Sequence, residues 1–437
     1  MTQTNETATD ADSSTLSKRL SGSRLFNSGG MFKSLHIYQF RILWFGMLFS
    51  MAAMQMNMVS RSWLAYDITG SGFAIGLVAL AMGIPRFFIA PFGGVAADRF
   101  EKRTLLVGTQ IVRIGMALSI ALLVTFNMIE IWHLMVVGVF QGLTASFMMP
   151  ARTAFISDLV DDDELPNAIA LDSTGRNLNR VVAPALAGVL IWFFPALVFY
   201  AIAAFYAVGV FTILKLPESK PQEASTQSVF QDAAQGFGYL WSQKSLLILL
   251  GLSITVIFFG MPFRSLLTVF QKDVFEVGPS ALGIMYTAIG VGAIGASLLV
   301  AYLSDSSRKQ QILLGSGVGF GVSLSIFAMS GSYMFGLMML VIVGFASQMF
   351  LTMNKTMLMV ASDRAYYGRI MSIYMMGFSL MPIALLPMGA AVDAIGAPTT
   401  VAAAGLMIIT VIVVTGAIQT FRNRSRQALL VPTKSNT

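Results

Sequence analysis

Long apolar segments recur along the whole chain, and short polar stretches separate them. Each segment holds about twenty residues, enough for a helix that rises about 1.5 Å per residue to cross a hydrocarbon core of about 30 Å. One longer apolar run is divided at Phe194-Pro195, because proline cannot continue a helix without disrupting it. The pattern predicts an all-α integral membrane protein of twelve transmembrane helices, at residues 41–65, 73–96, 104–126, 131–149, 167–194, 197–215, 245–270, 280–303, 310–330, 334–356, 369–393 and 398–421.

Lysine and arginine are distributed unevenly between the two sides of the predicted spans. If both termini are cytoplasmic, 21 of the 28 basic residues fall on that side, and Lys272 alone lies clearly in an outer loop. Cytoplasmic loops of membrane proteins carry such an excess of positive charge. We therefore expect a multi-pass protein of the cell inner (plasma) membrane with both termini in the cytoplasm.

Residues 216–244 form the only long loop between predicted spans, and six spans lie on each side of it. Its apolar positions predict an interfacial helix, with Val229, Phe230, Phe237, Leu240 and Trp241 on one face. The resulting organisation is a cytoplasmic tail at 1–40, a six-helix bundle at 41–215, a linker at 216–244, a second six-helix bundle at 245–421 and a second cytoplasmic tail at 422–437.

An internal repeat supports the two halves. A shift of 207 residues superimposes a glycine-bearing span, a short loop with an aspartate and a lysine, and the start of the next span. Parallel repeats of this kind build transporters around a central cavity. The matched positions are Gly76, Gly83, Asp98, Lys102 and Gly108 in the first half, and Gly283, Gly290, Asp305, Lys309 and Gly315 in the second.

Composition excludes several classes of function. Hydrophobic residues make up 56% of the chain and charged residues only 11%, against about 25% charged residues in soluble domains. There is no cysteine, and His36 and His133 are the only histidines, so we expect no metal site and no cofactor. The net charge of +7 does not indicate nucleic-acid binding, because the basic residues flank apolar spans and no RNP-like or zinc-finger pattern occurs. No P-loop motif for ATP hydrolysis is present either.

The loop after the second predicted span carries the most specific motif, Gly94-Val95-Ala96-Ala97-Asp98-Arg99-Phe100-Glu101-Lys102-Arg103. It resembles the signature loop of the major facilitator superfamily, although Glu101 stands where glycine is usual. The resemblance implies two six-helix bundles. It also implies that this loop, with its repeat counterpart Asp305, latches the halves in the outward-open state, Asp98 facing the start of the eleventh helix near Gly368 and Arg369. An ordinary basic loop with a capping aspartate is the alternative.

A set of shorter motifs in residues 40–195 resembles the exporter branch of that superfamily, which contains enterobactin exporters and macrolide-type efflux proteins and is called the transmembrane secretion effectors. The set comprises Trp63-Leu64-x-Tyr66-Asp67-x-Thr69-Gly70-Ser71, Pro150-Ala151-Arg152-x-Ala154, Leu165-x-Asn167-Ala168-x-Ala170-Leu171-x-Ser173 and Arg180-Val181-x-Ala183-Pro184-Ala185-x-x-Gly188. The last stretch also resembles the antiporter motif of the fifth helix, which the family ties to export; a small-residue packing face is the alternative.

Charged residues inside the spans are candidates for coupling or for ion pairs. Asp172, Arg176 and Arg180 stand four residues apart on one face of the fifth predicted span, where acid before base is the favourable order. Arg113 lies deeper in the third span, and we expect it to be buried in protein. The resemblance makes proton antiport plausible, but Gly138 replaces the arginine that drug–proton antiporters carry before Gln141-Gly142, and no carboxylate lies at mid-span.

The resemblance implies a cavity lined chiefly by helices 1, 4, 7 and 10. Candidate lining residues are Gln55, Asn57, Gln141, Phe258, Phe259, Arg264 and Gln348. The expected function is secondary active export of small, partly lipophilic molecules such as drugs or siderophores, by a monomer that contacts only substrate, membrane lipids and, if coupled, protons. Uptake or lipid flipping is the alternative within transport. A membrane-embedded enzyme or a receptor is the alternative from another class, but no nucleophile–base cluster supports an enzyme.

Overall fold

The computed structural model describes residues 33–218, 229–303, 306 and 308–430, and these residues form helices and short connections without a strand. A short 3₁₀ helix at Lys33–His36 precedes twelve long helices. Their bounds are α1 Tyr38–Thr69, α2 Gly72–Arg99, α3 Lys102–Thr125, α4 Ile131–Leu159, α5 Leu165–Phe193, α6 Pro195–Ile213, α7 Lys244–Val274, α8 Pro279–Tyr302, α9 Lys309–Ala328, α10 Tyr333–Ala361, α11 Tyr367–Ile395 and α12 Ala397–Leu430.

The predicted break between the fifth and sixth spans is confirmed, since α5 ends at Phe193 and Pro195 begins α6. Several helices extend a few residues beyond the predicted spans, because an apolar window marks the part of a helix in hydrocarbon rather than the whole helix. Thus α1 already begins at Tyr38, inside the predicted tail, and α12 continues to Leu430. The predicted loop at 271–279 is shorter, because α7 runs on to Val274.

Eleven helices of the described chain are long and apolar enough to cross a membrane. The remaining long helix, α5, has 29 residues but carries Asp172, Arg176 and Arg180, which lower its hydropathy. It packs against α1 in the first half and α8 in the second, so its polar positions can face protein instead of lipid. Its length and packing resemble those of the eleven apolar helices, and the twelfth membrane span at α5 stays a prediction.

The two halves repeat one pattern of helix packing. In the first half α2 packs on α4, while α3 packs on α4 and α6. In the second half α8 packs on α10, while α9 packs on α10 and α12. Adding six to each helix number converts one set into the other, which confirms the prediction of two pseudo-symmetric bundles.

Two helix pairs, α2 with α11 and α5 with α8, join the halves. We call the end of the bundle where α1 begins and α2 ends the terminal end, and the opposite end the far end. Gly76 of α2 allows close approach to α11, since a Cβ at this position would lie 2.7 Å from the Cα of Leu386. Similarly, a Cβ at Gly188 of α5 would lie 2.9 Å from the backbone nitrogen of Gly283 of α8. Both crossings lie in the far-end part of the bundle.

Two of the helices beside the interface between the halves are irregular. Helix α7 contains π-helical turns at Val256–Gly260 and Phe270–Val274, and α11 contains a 3₁₀ turn at Phe378–Leu380. The first π turn contacts the 3₁₀ turn of α11. Such turns often mark functional segments of a helix, because they leave backbone groups free to rearrange.

The predicted linker helix is present at Val229–Ser242 and packs on the second half. Leu240 is buried, the ring of Tyr239 stacks on that of Tyr366 at 4.1 Å, and the Tyr239 hydroxyl donates to Asp363. Phe237 and Trp241 are exposed, as an interfacial helix requires, whereas the side chains of Val229 and Phe230 lie outside the described residues.

Candidate transport site

The space between the halves opens toward the terminal end. The first segment of α11, Tyr367–Gly377, makes its main contacts with helices of its own half and with the linker helix. Phe88 and Phe92 of α2 and Met375 and Met376 of α11 are exposed in the corresponding segments. The helices that touch at the far end therefore diverge toward the terminal end.

A carboxylate of the second half closes the far end by capping a helix of the first half. Asp393, near the end of α11, accepts hydrogen bonds from the Ser71 hydroxyl and the Gly72 amide, both at 2.6 Å, and from the Phe73 amide at 3.1 Å. The free amides at a helix N-terminus and the positive end of its dipole favour a negative charge there. From the sequence, Asp393 is predicted only to lie at the end of a span. Ser71, a typical helix-capping residue, is the one sequence feature that could have indicated a polar contact at the start of α2.

Helices α1 and α7 add two further contacts between the halves at the far end. The Tyr66 hydroxyl donates to the carboxylate of Asp273. The Lys272 ammonium lies 3.0 Å from Asp67, and both side chains of this pair are more than 40% exposed, at 44% and 43%. An exposed ion pair contributes little stability. Asp393 is exposed as well, but it accepts three hydrogen bonds at the positive end of a helix dipole, so the cap is the stronger of the two contacts.

The predicted latch lies at the terminal end, where α2 ends at Arg99 and α3 begins at Lys102. The surroundings of Gly94, the side chain of Asp98 and the whole of Asp305 lie outside the described residues. Arg99 is exposed. The proposed contact between Asp98 and the start of α11 therefore stays a prediction.

Two of the basic residues after Asp98, Lys102 and Arg103, hold the loop against the first half. Lys102 is only 1% exposed and binds both carboxylate oxygens of Asp158 at the end of α4, at 2.9 and 2.7 Å. Arg103 donates to the carbonyl of Leu214 at 2.7 Å and lies 3.8 Å from Glu218. Asp158 begins the stretch Asp158-Leu159-Val160, which belongs to the exporter resemblance, but the sequence did not identify it as the partner of Lys102.

The predicted pair of Asp172 and Arg176 is part of a three-residue ion cluster. The Asp172 carboxylate accepts from Arg176 through one oxygen and from Arg152 of α4 through the other. The side chains of Arg152 and Asp172 are 5% and 8% exposed, whereas that of Arg176 is 37% exposed. The sequence does not reveal Arg152 as a partner of Asp172, because the approach of the two side chains depends on the packing of α4 beside α5.

Two further arginines are buried in the first half without a carboxylate partner among the described residues. Arg113 donates to Thr144 at 3.0 Å and lies over the ring of Tyr206, 5.7 Å from its centroid. Arg61 donates to Gln141 at 2.8 Å. The predicted burial of Arg113 is therefore confirmed, and Gln141 is engaged by an arginine of α1 instead of one on its own helix.

The structure brings Arg180 and Arg264 to the same turn of α8. The Tyr286 hydroxyl of α8 donates to the carbonyl of Arg264 at 2.6 Å. The carbonyl of Arg180 lies 3.0 Å from the position that a Cβ on Gly290 would take. Arg180 comes from the first half and Arg264 from the second, so this level of the cavity is basic on both sides.

The other candidate cavity residues are spread over three helices. Phe258 and Phe259 are half-buried in the first π turn of α7, with ring centroids 5.2 Å apart. In α10, Gln348 donates to Thr352 at 3.0 Å. Gln55 is half-buried and Asn57 is buried in α1. Within the described chain, no group of histidine, aspartate and glutamate side chains could hold a metal ion.

Comparison with known proteins decides the family. The family model described as transmembrane secretion effector matches residues 29–431, nearly the whole chain. This chain belongs to the transmembrane secretion effector family. Its place in the major facilitator superfamily, which the signature loop indicated, is thereby confirmed, and the chain is a transporter and not an enzyme.

Curated relatives are similar over most of their length. Macrolide efflux protein A of Streptococcus pyogenes is 23% identical over 393 residues, covering 88% of this chain and 96% of that protein. The enterobactin exporter EntS of Shigella flexneri is 26% identical over 314 residues, covering 70% and 73%. The staphyloferrin A transporter of Staphylococcus aureus is 22% identical over 361 residues, covering 82% and 90%.

Solved structures of the same fold include transporters of other branches. The nucleoside transporter NupG matches with a TM-score of 0.67 and 16% identity, over 87% of this chain and 98% of that one. A bacterial homologue of the lysosomal transporter Spinster, in an inward-facing and unoccupied conformation, matches with a TM-score of 0.65 and 15% identity, over 86% and 93%. At such identities the likeness concerns the fold alone.

Proposed function

We propose that this secretion-effector family member exports small, partly lipophilic organic molecules across the plasma membrane by alternating access. The observation that carries the proposal is the asymmetric contact between the halves, which meet at the far end and diverge at the terminal end. Relatives named for macrolide efflux, enterobactin export and staphyloferrin A transport support export as the direction.

The excess of basic residues on the side of the termini supports a cytoplasmic location for the terminal end. With that orientation the structure is inward-facing, and the cavity can receive cargo from the cytoplasm. The Asp393 cap and the contacts of α1 with α7 then form the closed outer gate. The halves at 41–215 and 245–421 would rock about the two crossings, with the linker helix carried by the second half and the protein acting as a monomer.

In the opposite state the outer contacts separate and the cytoplasmic ends of α2 and α11 close together. Asp98 is then the latch, because the start of α11 near Gly368 and Arg369 offers the positive end of a helix dipole and a basic side chain. The bonds of Lys102 and Arg103 within the first half support this role, since they fix the loop that presents Asp98.

Proton coupling has one candidate carboxylate. Asp172 is buried about two turns inside α5, where protonation could be linked to a change of state. Two arginines contact its carboxylate, and both favour the charged form. A structural ion cluster is therefore the competing role, and it requires the cluster to stay intact in every state.

Inverted membrane vesicles test the proposal directly. Vesicles that contain the protein should accumulate a labelled macrolide or an amphiphilic fluorescent dye faster than vesicles without it, because export from the cell is uptake into an inverted vesicle. An imposed pH gradient, acid inside, should accelerate accumulation if protons are exchanged. Accumulation only in right-side-out vesicles would indicate an importer. Redistribution of labelled lipid without uptake of soluble cargo would indicate a flippase.

A further inference from the structure

Positive charge dominates the middle of the described helices. Away from the terminal turns of α1–α11 and of the apolar part of α12, Ala397–Ile418, the helices contain seven arginines but only one carboxylate, that of Asp172. Arg152 and Arg176 both bind this carboxylate. Arg61 and Arg113 bind uncharged partners in the first half. The remaining arginines are Arg86, Arg180 and Arg264.

Two of these, Arg180 and Arg264, lie close to each other from opposite halves; we call them the arginine pair. Tyr286 and Gly290, one turn apart on α8, contact the backbone of Arg264 and Arg180 respectively. The Thr287 hydroxyl, between them, donates to the carbonyl of Val181 at 2.7 Å. The backbones of both arginines therefore lie against one stretch of α8, Tyr286–Gly290, and like charges brought together at short range repel each other.

The arginine pair is open to a ligand. Arg180 is exposed at the centre of α5, a helix that packs against α1 of the first half and α8 of the second. Arg264 is half-buried, and its Nε is buried without a hydrogen-bond partner. No carboxylate among the described residues pairs with either side chain. A buried donor without a partner is costly, and charges inside a membrane protein mark the path of its cargo.

We infer that the cargo is an organic anion, and that its acidic group binds between Arg180 and Arg264 while its apolar body lies along the cavity. This inference rests on the proposed function and adds the charge class of the substrate. A carboxylate would remove the repulsion between the two arginines and accept charge-assisted hydrogen bonds from both guanidinium groups. The exposed aromatic and methionine side chains of α2 and α11 provide apolar contact below it.

The position of the arginine pair links binding to the change of state. One arginine belongs to each half, and both lie where α5 crosses α8. An anion between them neutralises repulsion across the interface, so it favours conformations in which the halves stay close at this level. An uncharged or cationic molecule lacks this effect and leaves both guanidinium groups unpaired.

Direct binding to the purified full-length protein tests the inference without any variant. Fluorescence anisotropy should detect binding of carboxyfluorescein, an anion, and much weaker binding of rhodamine 123, a cation of similar size. Competition with 2-naphthoate and its uncharged methyl ester isolates the carboxylate, and the acid should displace carboxyfluorescein at a concentration about tenfold lower or more. Equal competition by acid and ester, or tighter binding of rhodamine 123, overturns the inference.

Variants then locate the site. Arg180→Gln and Arg264→Gln should each weaken carboxyfluorescein binding about tenfold or more, and the corresponding lysine variants should retain part of it. Arg41→Gln is the matched control, because Arg41 is exposed near the terminal end of α1 and lies over Tyr38. Unchanged binding in both glutamine variants, with correct folding shown by gel filtration, contradicts the assignment of these residues.

Transport of the same dyes by inverted vesicles separates this inference from the proposed function. Uptake of carboxyfluorescein but not rhodamine 123 supports both. Uptake of rhodamine 123 alone supports export and contradicts the anionic cargo. Specific binding of carboxyfluorescein without transport of either dye, in either vesicle orientation, supports the anion site and contradicts export.

Discussion

At the scale of single residues, the Asp172 carboxylate binds two arginines that differ in burial. Arg152 is almost inaccessible, whereas Arg176 keeps more than a third of its surface exposed. Water can therefore replace Asp172 as a partner for Arg176 but not for Arg152. The i,i+4 spacing on α5 revealed the weaker partner, and the packing of α4 on α5 supplied the stronger one.

Arg152→Gln should destabilise the protein far more than Arg176→Gln. Removing Arg152 leaves Asp172 buried with one partner, and breaking a buried pair costs about 3–5 kcal/mol. Removing the more exposed Arg176 should cost about 1 kcal/mol or less. The thermal unfolding midpoints of the two purified variants in detergent measure the difference. Equal midpoints would mean that Asp172 does not depend on its buried partner.

The cluster also changes how a charge swap should behave. Exchanging Asp172 and Arg176 would place an arginine at 172 beside Arg152, so repulsion should prevent recovery of folding. Asp172→Asn together with Arg152→Gln removes the buried charges and is the better test of coupling. If transport by this folded variant still responds to a pH gradient like the parent, Asp172 does not carry the proton.

At the scale of helices, the Asp393 cap joins the end of α11 to the start of α2. This contact depends on the negative charge of the carboxylate and on the free amides of the first turn of α2. The corresponding sequence signal is small, a single aspartate near a span end. Only the crossing of α2 and α11 brings it to a helix of the other half.

Asp393→Asn should weaken the closed outer gate and increase the outward-facing population several-fold, since such charge–dipole contacts contribute about 0.3–2 kcal/mol. A cysteine at Leu386, where α11 touches Gly76, should then react faster with an impermeant maleimide from outside. Asp67→Asn serves as the control, because the ion pair that it breaks is exposed. Equal labelling rates in both variants would show that Asp393 does not hold the outer gate closed.

The crossing of α5 and α8 imposes a steric requirement at Gly188. A Cβ there would lie 2.9 Å from two backbone atoms of α8, the nitrogen of Gly283 and the carbonyl oxygen of Pro279. Gly188→Ala should therefore force the helices apart and reduce transport at least severalfold, although alanine is the better helix former. Gly108→Ala, in α3 with open space around it, should leave transport near the parent level. The ratio of the two transport rates measures this effect.

At the scale of the whole molecule, alternating access requires opposing latches at the two ends. Asp393 holds the far end in the present structure, and Asp98 is the candidate at the terminal end. Asp98→Asn should shift the population toward the inward-facing state, opposite to Asp393→Asn, and the double variant should lie between the single ones. The labelling rate of a cysteine at Leu386 measures the outward-facing population in each of the three variants. Accessibility that rises in Asp98→Asn would contradict the assignment of Asp98.

The orientation of the protein in the membrane can be tested with one cysteine near each end of α8. Ser280 lies at the start of α8 at the far end, and Ser306 follows its other end. In the cysteine-free chain, a cysteine at Ser280 should react with an impermeant reagent from outside the cell, whereas one at Ser306 should react only after permeabilisation. The reverse pattern would place the termini outside and make the structure outward-facing.

The sequence by itself indicated the apolar spans and their order, the two halves and the family, and it predicts the orientation in the membrane. These properties follow from local composition: an apolar run must cross the membrane as a helix because backbone groups cannot remain unpaired in lipid. Motifs such as Gly94–Arg103 are also contiguous. Such features can be read from a single segment without knowledge of its neighbours.

The tertiary structure alone decided the partners. Arg152 reaches Asp172, Asp393 caps α2 and Arg61 binds Gln141, and each of these contacts joins two different helices. The sequence shows that charges inside spans need compensation, but it does not show which charge compensates which. That pairing depends on helix rotation and on the glycine crossings that bring backbones together. The same geometry leaves the arginine pair uncompensated, where we place the cargo.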